Sequence, residues 1–257
     1  MSFYIFNRRQ IAKITACTVM AILALIIVFG GLGEAVPTAA GERKIPIYCV
    51  DTTEKKVSIS FDAAWGNEQT QTLLDILDEY NVKATFFLVG MWADKYPESV
   101  KDIALAGHDV GSHSSVHDHM TQHTVGEIID DTMRCNVKLR TLTGKEPTLY
   151  RCPYGDYNND VVQSVNDCNM YCIQWDVDSL DWKDPSPDEI VSRIKSKITN
   201  GSIILMHNGA KNTPEALPKV IEAIQSEGYE IVPISELLIK GSYYTDSTGK
   251  MHQKADA

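Results

Sequence analysis

Short apolar runs alternate with stretches of helical periodicity from residue 57 onward, and this alternation restricts the fold more than any other feature. Residues 84–89 form an apolar run that ends at Gly90, whereas residues 68–80 place Leu73 and Leu77 on one helical face. Repeated strand–helix units of this kind predict an α/β fold with a parallel sheet and helices outside it. The pattern predicts about seven strands, enough for an open sheet or a distorted (β/α) barrel.

The first 35 residues differ from the rest of the chain. Arg8, Arg9 and Lys13 precede an uncharged, mostly apolar run at residues 14–33. A run of about 20 such residues can span a bilayer, and the basic flank keeps the N-terminus in the cytoplasm. We therefore expect a transmembrane anchor, with a cleavable signal peptide as the alternative. Both interpretations place the rest of the chain outside the cytoplasm, either anchored to the membrane or secreted.

Composition divides the remaining sequence into three parts. Residues 36–54 lack periodicity and are interpreted as a linker. Residues 55–240 carry the alternating pattern and are expected to form the domain. Residues 241–257 are polar and are expected to be a flexible tail.

The chain is acidic, which limits its partners. It has 24 Lys and Arg residues against 34 Asp and Glu residues, a net charge of −10. A negative surface repels polyanions, so no nucleic-acid partner is expected. We expect a monomer.

Five cysteines follow Cys17, which itself lies in the apolar run. An odd number leaves at least one thiol unpaired within the exported chain, and the pairing of the others stays open. Cys168 and Cys172 are four residues apart, but no second Cys or His pair accompanies them, so a zinc site is not expected there. We interpret the five as free or singly bridged structural cysteines.

Polar residues follow the predicted strands at the positions where each strand ends. These residues are Asp62, His113, His117, Arg151, Asp178, Asp181 and His207. In a parallel barrel the carboxyl ends of all strands lie on one face, where active sites are built. A turn cap, a surface charge or a core histidine would explain any one of them, but the whole set indicates one functional site.

His113 and His117 are the candidate metal ligands. Their spacing of four residues would place both imidazoles on one side of a helical turn. Neutral imidazoles suit Zn²⁺ or a similar divalent transition metal. The pair alone is a weak signal, and a solvated pair is the alternative.

The order of these residues resembles that of the polysaccharide deacetylases, the carbohydrate esterase family 4 with the NodB homology domain. The resemblance covers about residues 55–240 and rests on five blocks: SFDAA at 60–64, HSSVH at 113–117, RCPYG at 151–155, DSLDW at 178–182 and LMH at 205–207. The last four match the family pattern fully. The family fold is a distorted (β/α) barrel. The Trp–Gly pair after the first block and the N-terminal segment look most similar to PdaB-type sporulation-associated deacetylases.

The resemblance implies a metal-dependent hydrolase that removes N-acetyl groups from amino sugars of a cell-wall glycan, such as peptidoglycan of the cell or spore envelope. Within the family pattern, Asp62 takes the position of the catalytic base. Arg151 would orient this carboxylate. His207 is the candidate acid, with Asp181 as its partner.

The remaining family positions concern the cofactor and the substrate. The resemblance implies that His113 and His117 bind a divalent metal, with Zn²⁺ as the expected ion. Tyr154, Trp182 and Leu205 are expected to contact the substrate. The partners implied are therefore a glycan and, through the N-terminal segment, a membrane.

The first block departs from the family pattern. The family has a second Asp, a metal ligand, directly after the base, and Ala63 stands there without a donor atom. The metal would then be held more weakly by the two histidines and waters, or another acid such as Asp62 or Asp118 would complete the site. The third interpretation is a glycan-binding protein without activity. We favour retained catalysis, because the base, the arginine and the acid with its carboxylate partner are all present.

Overall fold

The computed structural model describes residues 7–30 and 43–255 of the 257-residue chain. Helix α1 (Arg8–Gly30) belongs to one unit, and the residues from 43 onward form a second, compact one. Within the described residues, no helix combines the length and the apolar character needed to cross a membrane. The predicted transmembrane segment is therefore unsupported, and part of its span at 14–33 lies outside the described residues.

Strands of the second unit form two sheets. Their bounds are β1 Cys49–Val50, β2 Lys56–Ala63, β3 Thr85–Leu88, β4 Asp109–Ser112, β5 Leu149–Tyr150, β6 Tyr171–Cys172, β7 Val177–Asp178, β8 Ile203–His207, β9 Glu230–Ile231, β10 Tyr243–Thr245 and β11 Lys250–Gln253. The large sheet is parallel and has the order β6–β5–β4–β3–β2–β8–β7, with β9 also paired to β2. The small sheet has the order β1–β11–β10.

Helices follow most strands of the large sheet. Their bounds are α2 Thr70–Glu79, α3 Gly90–Lys95, α4 Pro97–Leu105, α5 Val125–Thr143, α6 Asn159–Asp167, α7 Pro187–Lys195, α8 Thr213–Ser226 and α9 Ile234–Leu237, with short 3₁₀ helices at Met120–Gln122, Pro153–Gly155 and Asp181–Lys183. The predicted α/β fold is confirmed. The seven strands of this order form a curled half-barrel. The described strands show no ladder between β6 and β7 that would close it.

Local sequence signals explain where two helices begin. A capping box begins α5, where Thr124 Oγ1 accepts from the Glu127 N–H and Glu127 Oε2 accepts from the Thr124 N–H. The helical stretch after β3 is divided into α3 and α4 at Tyr96. Pro97 begins α4, and a proline disfavours helical backbone at the residue before it.

Strand β2 separates the apolar core from the face that bears the polar site. Its core-facing residues are Val57, Ile59, Phe61 and Ala63, which pack in the main hydrophobic cluster between the sheet and its helices. Ser58 and Ser60 alternate with them and donate hydroxyl hydrogen bonds to backbone carbonyls at 2.7 Å. Because successive strand residues point to opposite faces, Asp62 lies on the same face as these serines.

The expectations for the linker at 36–54 and the tail at 241–257 are wrong for residues that form strands. Strand β11 pairs in parallel with β1 and antiparallel with β10. Met251 is fully buried in this small sheet. These strands have two to four residues each, too few to show the side-chain alternation that predicts a strand.

His108 precedes β4 and is almost fully buried. The Ala84 N–H donates to its Nδ1 at 3.1 Å, and its ring packs against Phe86 with a centroid distance of 5.4 Å. Burial, with a smaller effect of the nearby Lys83 charge, lowers the pKa of His108 to about 4. The folded domain therefore binds this proton much less readily than the unfolded chain does.

We expect the free energy of unfolding to fall as the pH drops from about 6.5, the pKa of an unfolded histidine. The unfolded chain gains the His108 proton first, so the stability present above that pH is lost as the pH falls through the folded pKa. The His108→Gln variant lacks this titrating group. Between about pH 7 and pH 4, its free energy of unfolding should therefore fall by on the order of 3 kcal/mol less than that of the wild type. Urea unfolding of both proteins at these pH values is the measurement. An equal loss in wild type and variant would contradict the assignment.

Candidate active site

The predicted strand-end residues meet at one edge of the large sheet. Asp62 and His207 lie directly opposite each other on the neighbouring strands β2 and β8. Arg151 follows β5, and its N–H donates to Ser112 O at the end of β4 at 2.9 Å. Asp181 begins the 3₁₀ helix that follows β7. The carboxyl ends of five parallel strands thus supply the site.

Arg151 is the central cation of this site and has no exposed surface. Its Nη1 donates to Asp62 Oδ1 at 2.8 Å, and its Nη2 donates to Gln174 O at 3.1 Å. The guanidinium carbon lies 4.1 Å from the ring centroid of Phe87. A buried cation requires such partners because burial removes it from water.

The Asp62 carboxylate is held in its ionised form. Burial is the largest influence and by itself would raise the pKa of Asp62. The Arg151 charge, followed by His113 and His207, outweighs burial and brings the pKa below its ordinary value. At neutral pH the site therefore contains a carboxylate that can accept a proton.

The imidazole of His207 is held in place by the carboxylate of Asp181. Its Nδ1 lies 2.7 Å from Asp181 Oδ1, and its backbone N–H donates to Asp181 Oδ2 at 2.8 Å. Thr213 Oγ1 donates to the same Oδ2 at 2.7 Å, so the fully buried Asp181 is well satisfied. Burial is the largest influence on His207 and opposes its charge, but the Asp181 hydrogen bond and charge prevail and raise the pKa of His207.

His113 and His117 lie on an irregular loop, so the helical turn expected from their spacing is wrong. Ser114 and His117 have left-handed backbone, with φ of 67° and 58°. The loop is fixed because Ser114 O accepts from the Gly90 N–H and the Ser115 N–H donates to Asp131 Oδ1. The two imidazoles still approach each other, with ring centroids 4.9 Å apart.

Both histidines are poor bases in this environment. Burial, the largest influence, lowers the pKa of His113, and burial together with the His113 charge lowers the pKa of His117 to about 4. The neutral His113 donates from Nδ1 to Arg151 O at 2.8 Å. Its Nε2 therefore carries the lone pair, and this atom lies 3.4 Å from Asp62 Oδ2. Two acceptor atoms at this distance favour a cation or a proton donor between them.

A complete three-ligand metal site is not formed by the described residues. They contain no group of three or more His, Cys, Asp or Glu side chains placed to hold a metal ion. Ala63 is fully buried at the end of β2 and packs with the core. Asp118, the other acid considered, accepts from the His119 N–H at 2.8 Å and lies 3.0 Å from His123 Nε2. Two neutral imidazoles beside Asp62 thus fit part of a zinc site, and the usual third protein ligand is missing.

The predicted substrate contacts differ in their placement. A pocket of about 280 Å³ opens at the site and is lined by Asp62, Ala64, Trp65, Trp182, Asp184, His207, Asn208, Gly209, Ala210 and Lys211. Leu205 is buried on β8 and is not among these lining residues. Tyr154 is 59% exposed and stacks on the ring of His119, with a centroid distance of 4.3 Å.

Asp178 precedes Asp181 in the chain and lies close to the site. Asp178 Oδ1 accepts from the Leu180 N–H at 2.8 Å, so its side chain shapes the turn before Asp181.

All six cysteines of the chain are free thiols. Cys152 and Cys172, both buried, have their sulfur atoms 3.6 Å apart.

Several positioning residues escaped the sequence reasoning. Thr213 binds Asp181, Asp131 binds the histidine loop, and Gln174 binds Arg151 through its carbonyl. Thr213 and Asp131 lie in helices, away from the strand ends. Nothing in the sequence indicates which side chains these two residues contact.

Comparisons with known proteins show which proteins this chain resembles. Residues 50–173 match the family described as polysaccharide deacetylase. The chain is 35% identical over 193 residues to the uncharacterized protein YlxY of Bacillus subtilis. This aligned region covers 75% of this chain and 60% of YlxY. It is 30% identical over 194 residues to a peptidoglycan-N-acetylglucosamine deacetylase of Bacillus cereus, covering 74% of this chain and 91% of that protein. The chain thus spans less than two thirds of YlxY.

A similar solved structure bears on activity. The crystal structure of BA3943, a CE4 family pseudoenzyme from Bacillus anthracis, has a TM-score of 0.73 and 36% identity, covering 75% of this chain and 68% of that one. A mutant of BA3943 with restored enzymatic activity has the same TM-score and 38% identity, covering 75% of this chain and 70% of that one.

We expect Asp62→Asn to lower the free energy of unfolding by about 3–5 kcal/mol, because it leaves the Arg151 cation buried without a counter-charge. Combining it with Arg151→Met should cost less than the sum of the two single changes. Denaturant unfolding of the four proteins measures this coupling. As a matched control, the exposed Arg140–Glu146 pair, with an N–O distance of 2.9 Å, should show coupling below about 1 kcal/mol. Additive losses at Arg151 and Asp62 would contradict the buried ion pair.

Proposed function

This chain belongs to the polysaccharide deacetylase family, and we propose that it hydrolyses N-acetyl groups on amino sugars of a cell-wall glycan such as peptidoglycan. The observation that carries the proposal is the opposition of Asp62 and His207 on adjacent strands, with pKa values moved in opposite directions. Groups whose pKa values are shifted apart in this way are suited to act as a base and an acid. The peptidoglycan relative from Bacillus cereus supports the substrate class.

Asp62 is the proposed general base. Amide hydrolysis needs an activated water, and an ionised carboxylate at the pocket wall can take its proton. Arg151 holds Asp62 Oδ1 and leaves Oδ2 directed away from that hydrogen bond. The same cation keeps the carboxylate charged in a buried setting. A backbone N–H near Tyr154 is proposed to bind the tetrahedral oxyanion.

His207 is the proposed general acid for the leaving amine. Asp181 occupies Nδ1, so Nε2 is the nitrogen available to deliver a proton to the substrate. The raised pKa of His207 favours retention of this proton. Trp182 lines the same pocket and is proposed to wall the acetyl group.

His113 and His117 are the proposed ligands of a divalent metal such as Zn²⁺. When bound there, the metal would supply Lewis-acid polarisation of the acetyl carbonyl. His113 is oriented for this role by its hydrogen bond to the Arg151 carbonyl. Ala63 removes the third family ligand, so we propose weak binding.

A glycan-binding protein without activity is the second candidate. Two observations favour it: no three-ligand group occurs in the described residues, and the similar BA3943 is a pseudoenzyme whose mutant regains activity. The intact base and acid–carboxylate pairs favour the first candidate. Acetate release from chitooligosaccharide or peptidoglycan, measured with purified protein, separates them.

We also propose that the domain acts outside the cytoplasm, because a cell-wall substrate lies there. The association with sporulation stays a prediction. In cells producing the protein, residues 45–257 should be found in the medium or be degraded by protease added to intact cells. Full protection of a cell-associated domain, with no protein in the medium, would refute export.

His207→Ala should lower the turnover number for acetate release by about 10²–10⁴ while leaving the fold intact. The wild-type rate should fall as the pH rises through the pKa of His207, because the acid then lacks its proton, and this alkaline limb should disappear in the variant. Assays across pH on a chitooligosaccharide measure both effects. His252→Ala, in the small sheet, is the control. Wild-type turnover in His207→Ala would remove this residue from the mechanism.

Ala63→Asp should bind Zn²⁺ more tightly than the wild type, because it restores a third oxygen ligand beside the two imidazoles. The position ends a strand, so a longer side chain has the chance to turn from the core toward His113. Calorimetric titration of both metal-free proteins is the measurement, with Ala63→Asn as the neutral control of equal size. Equal affinity in all three proteins would mean that residue 63 does not reach the metal. Absence of binding to any of them would favour the glycan-binding candidate.

A further inference from the structure

Trp65 is a large apolar side chain left uncovered at the mouth of the site. It is 67% exposed and lines the same pocket as Asp62 and His207. Trp182, 55% exposed, lines this pocket as well. Exposure alone is a weak signal, since Leu105 on α4 is 84% exposed. Two exposed indoles on one pocket that also holds the proposed base and acid indicate a ligand surface.

The backbone around Trp65 is held firmly, in contrast to its exposed ring. The buried Trp92 donates from Nε1 to Gly66 O at 2.6 Å. Gly66 has a φ of 69°, a left-handed conformation that favours glycine. On the other side, a Cβ on Gly209 would lie only 2.6 Å from Trp65 O, so that glycine allows the two loops to touch.

These contacts fix the position of the Trp65 indole before a ligand binds. The loop is anchored to Trp92 of α3 on one side and to the loop after β8 on the other. The ring itself touches the site only edge-on, with its centroid 6.0 Å from that of His117. A preordered aromatic surface loses little conformational freedom on binding, which favours affinity. No step of the proposed hydrolysis uses this side chain.

The size and the lining residues of the pocket indicate which chemical class of ligand it can bind. At about 280 Å³ it lies at the small end of ligand pockets, which hold roughly 300–1,000 Å³. It therefore suits one ring of a polymer rather than several. Aromatic walls match the C–H face of a sugar ring, while the exposed Asp184 and Lys211 on the lining offer polar groups to hydroxyls at the ring edge.

We propose that Trp65 is a stacking platform for a pyranose ring of the glycan, on a pocket that it shares with Trp182. The inference rests on the proposed function for its ligand class, but it concerns binding and not the chemical step. Trp65 is thus a positioning residue for the sugar unit that brings its acetamido group to Asp62 and His207.

Titration calorimetry with the tetramer of N-acetylglucosamine tests the platform. Trp65→Ala should raise the Kd roughly tenfold, since an aromatic contact and its buried area are lost, whereas Trp65→Phe should stay within about threefold of the wild type. Tyr244→Ala, which removes an exposed aromatic ring on β10 outside the pocket, should bind as the wild type does. Circular dichroism of each variant checks that the fold is retained.

The outcomes separate this inference from the proposed function. A raised Kd in Trp65→Ala, with no acetate release from any of the proteins, would support the stacking platform and reject the catalysis. If the proteins turn over the tetramer, Trp65→Ala should raise KM much more than it lowers kcat. Unchanged Kd and KM in a folded Trp65→Ala would overturn the platform while leaving the hydrolysis in place. Failure of the wild type to bind the tetramer would also overturn it.

Discussion

The buried ion pair between Arg151 and Asp62 is the interaction on which the rest of the site depends. Arg151 has no exposed surface, and its side chain binds both a carboxylate on β2 and the Gln174 carbonyl after β6. Its backbone N–H binds Ser112, and its backbone carbonyl accepts from His113. One residue therefore fixes the Asp62 carboxylate and the His113 imidazole. A buried pair of this kind is retained for what it positions, since it adds little stability by itself.

The second constraint is electrostatic. Asp62 and His207 are neighbours across β2 and β8, but different partners control them. The Arg151 cation favours the charged carboxylate, and the Asp181 anion favours the charged imidazole. This separation of roles needs only residues of this chain. In the proposed mechanism, the missing carboxylate at position 63 would weaken the metal that polarises the carbonyl, whereas the proposed base and acid do not depend on that carboxylate.

Much of this was accessible from sequence because strand ends in a parallel sheet converge. That rule placed Asp62, Arg151 and His207 together without knowledge of the contacts. It could not give the irregular His113–His117 loop, since the spacing of four residues is equally compatible with a helical turn. It also missed Thr213 and Asp131, whose partners lie 32 and 16 residues away. The small sheet was missed because strands of two to four residues are too short to show side-chain alternation.

The central claim is that the folded site favours the ionised form of Asp62 and the protonated form of His207. Carbon-13 NMR titration of the Asp62 carboxyl and the His207 ring in the metal-free domain tests it directly, with assignment by Asp62→Asn and His207→Gln. The account predicts an Asp62 pKa below its ordinary value of 3.8 and a His207 pKa above its ordinary value of 6.5. An Asp62 that titrates above 3.8, or a His207 that titrates at or below 6.5, would contradict it.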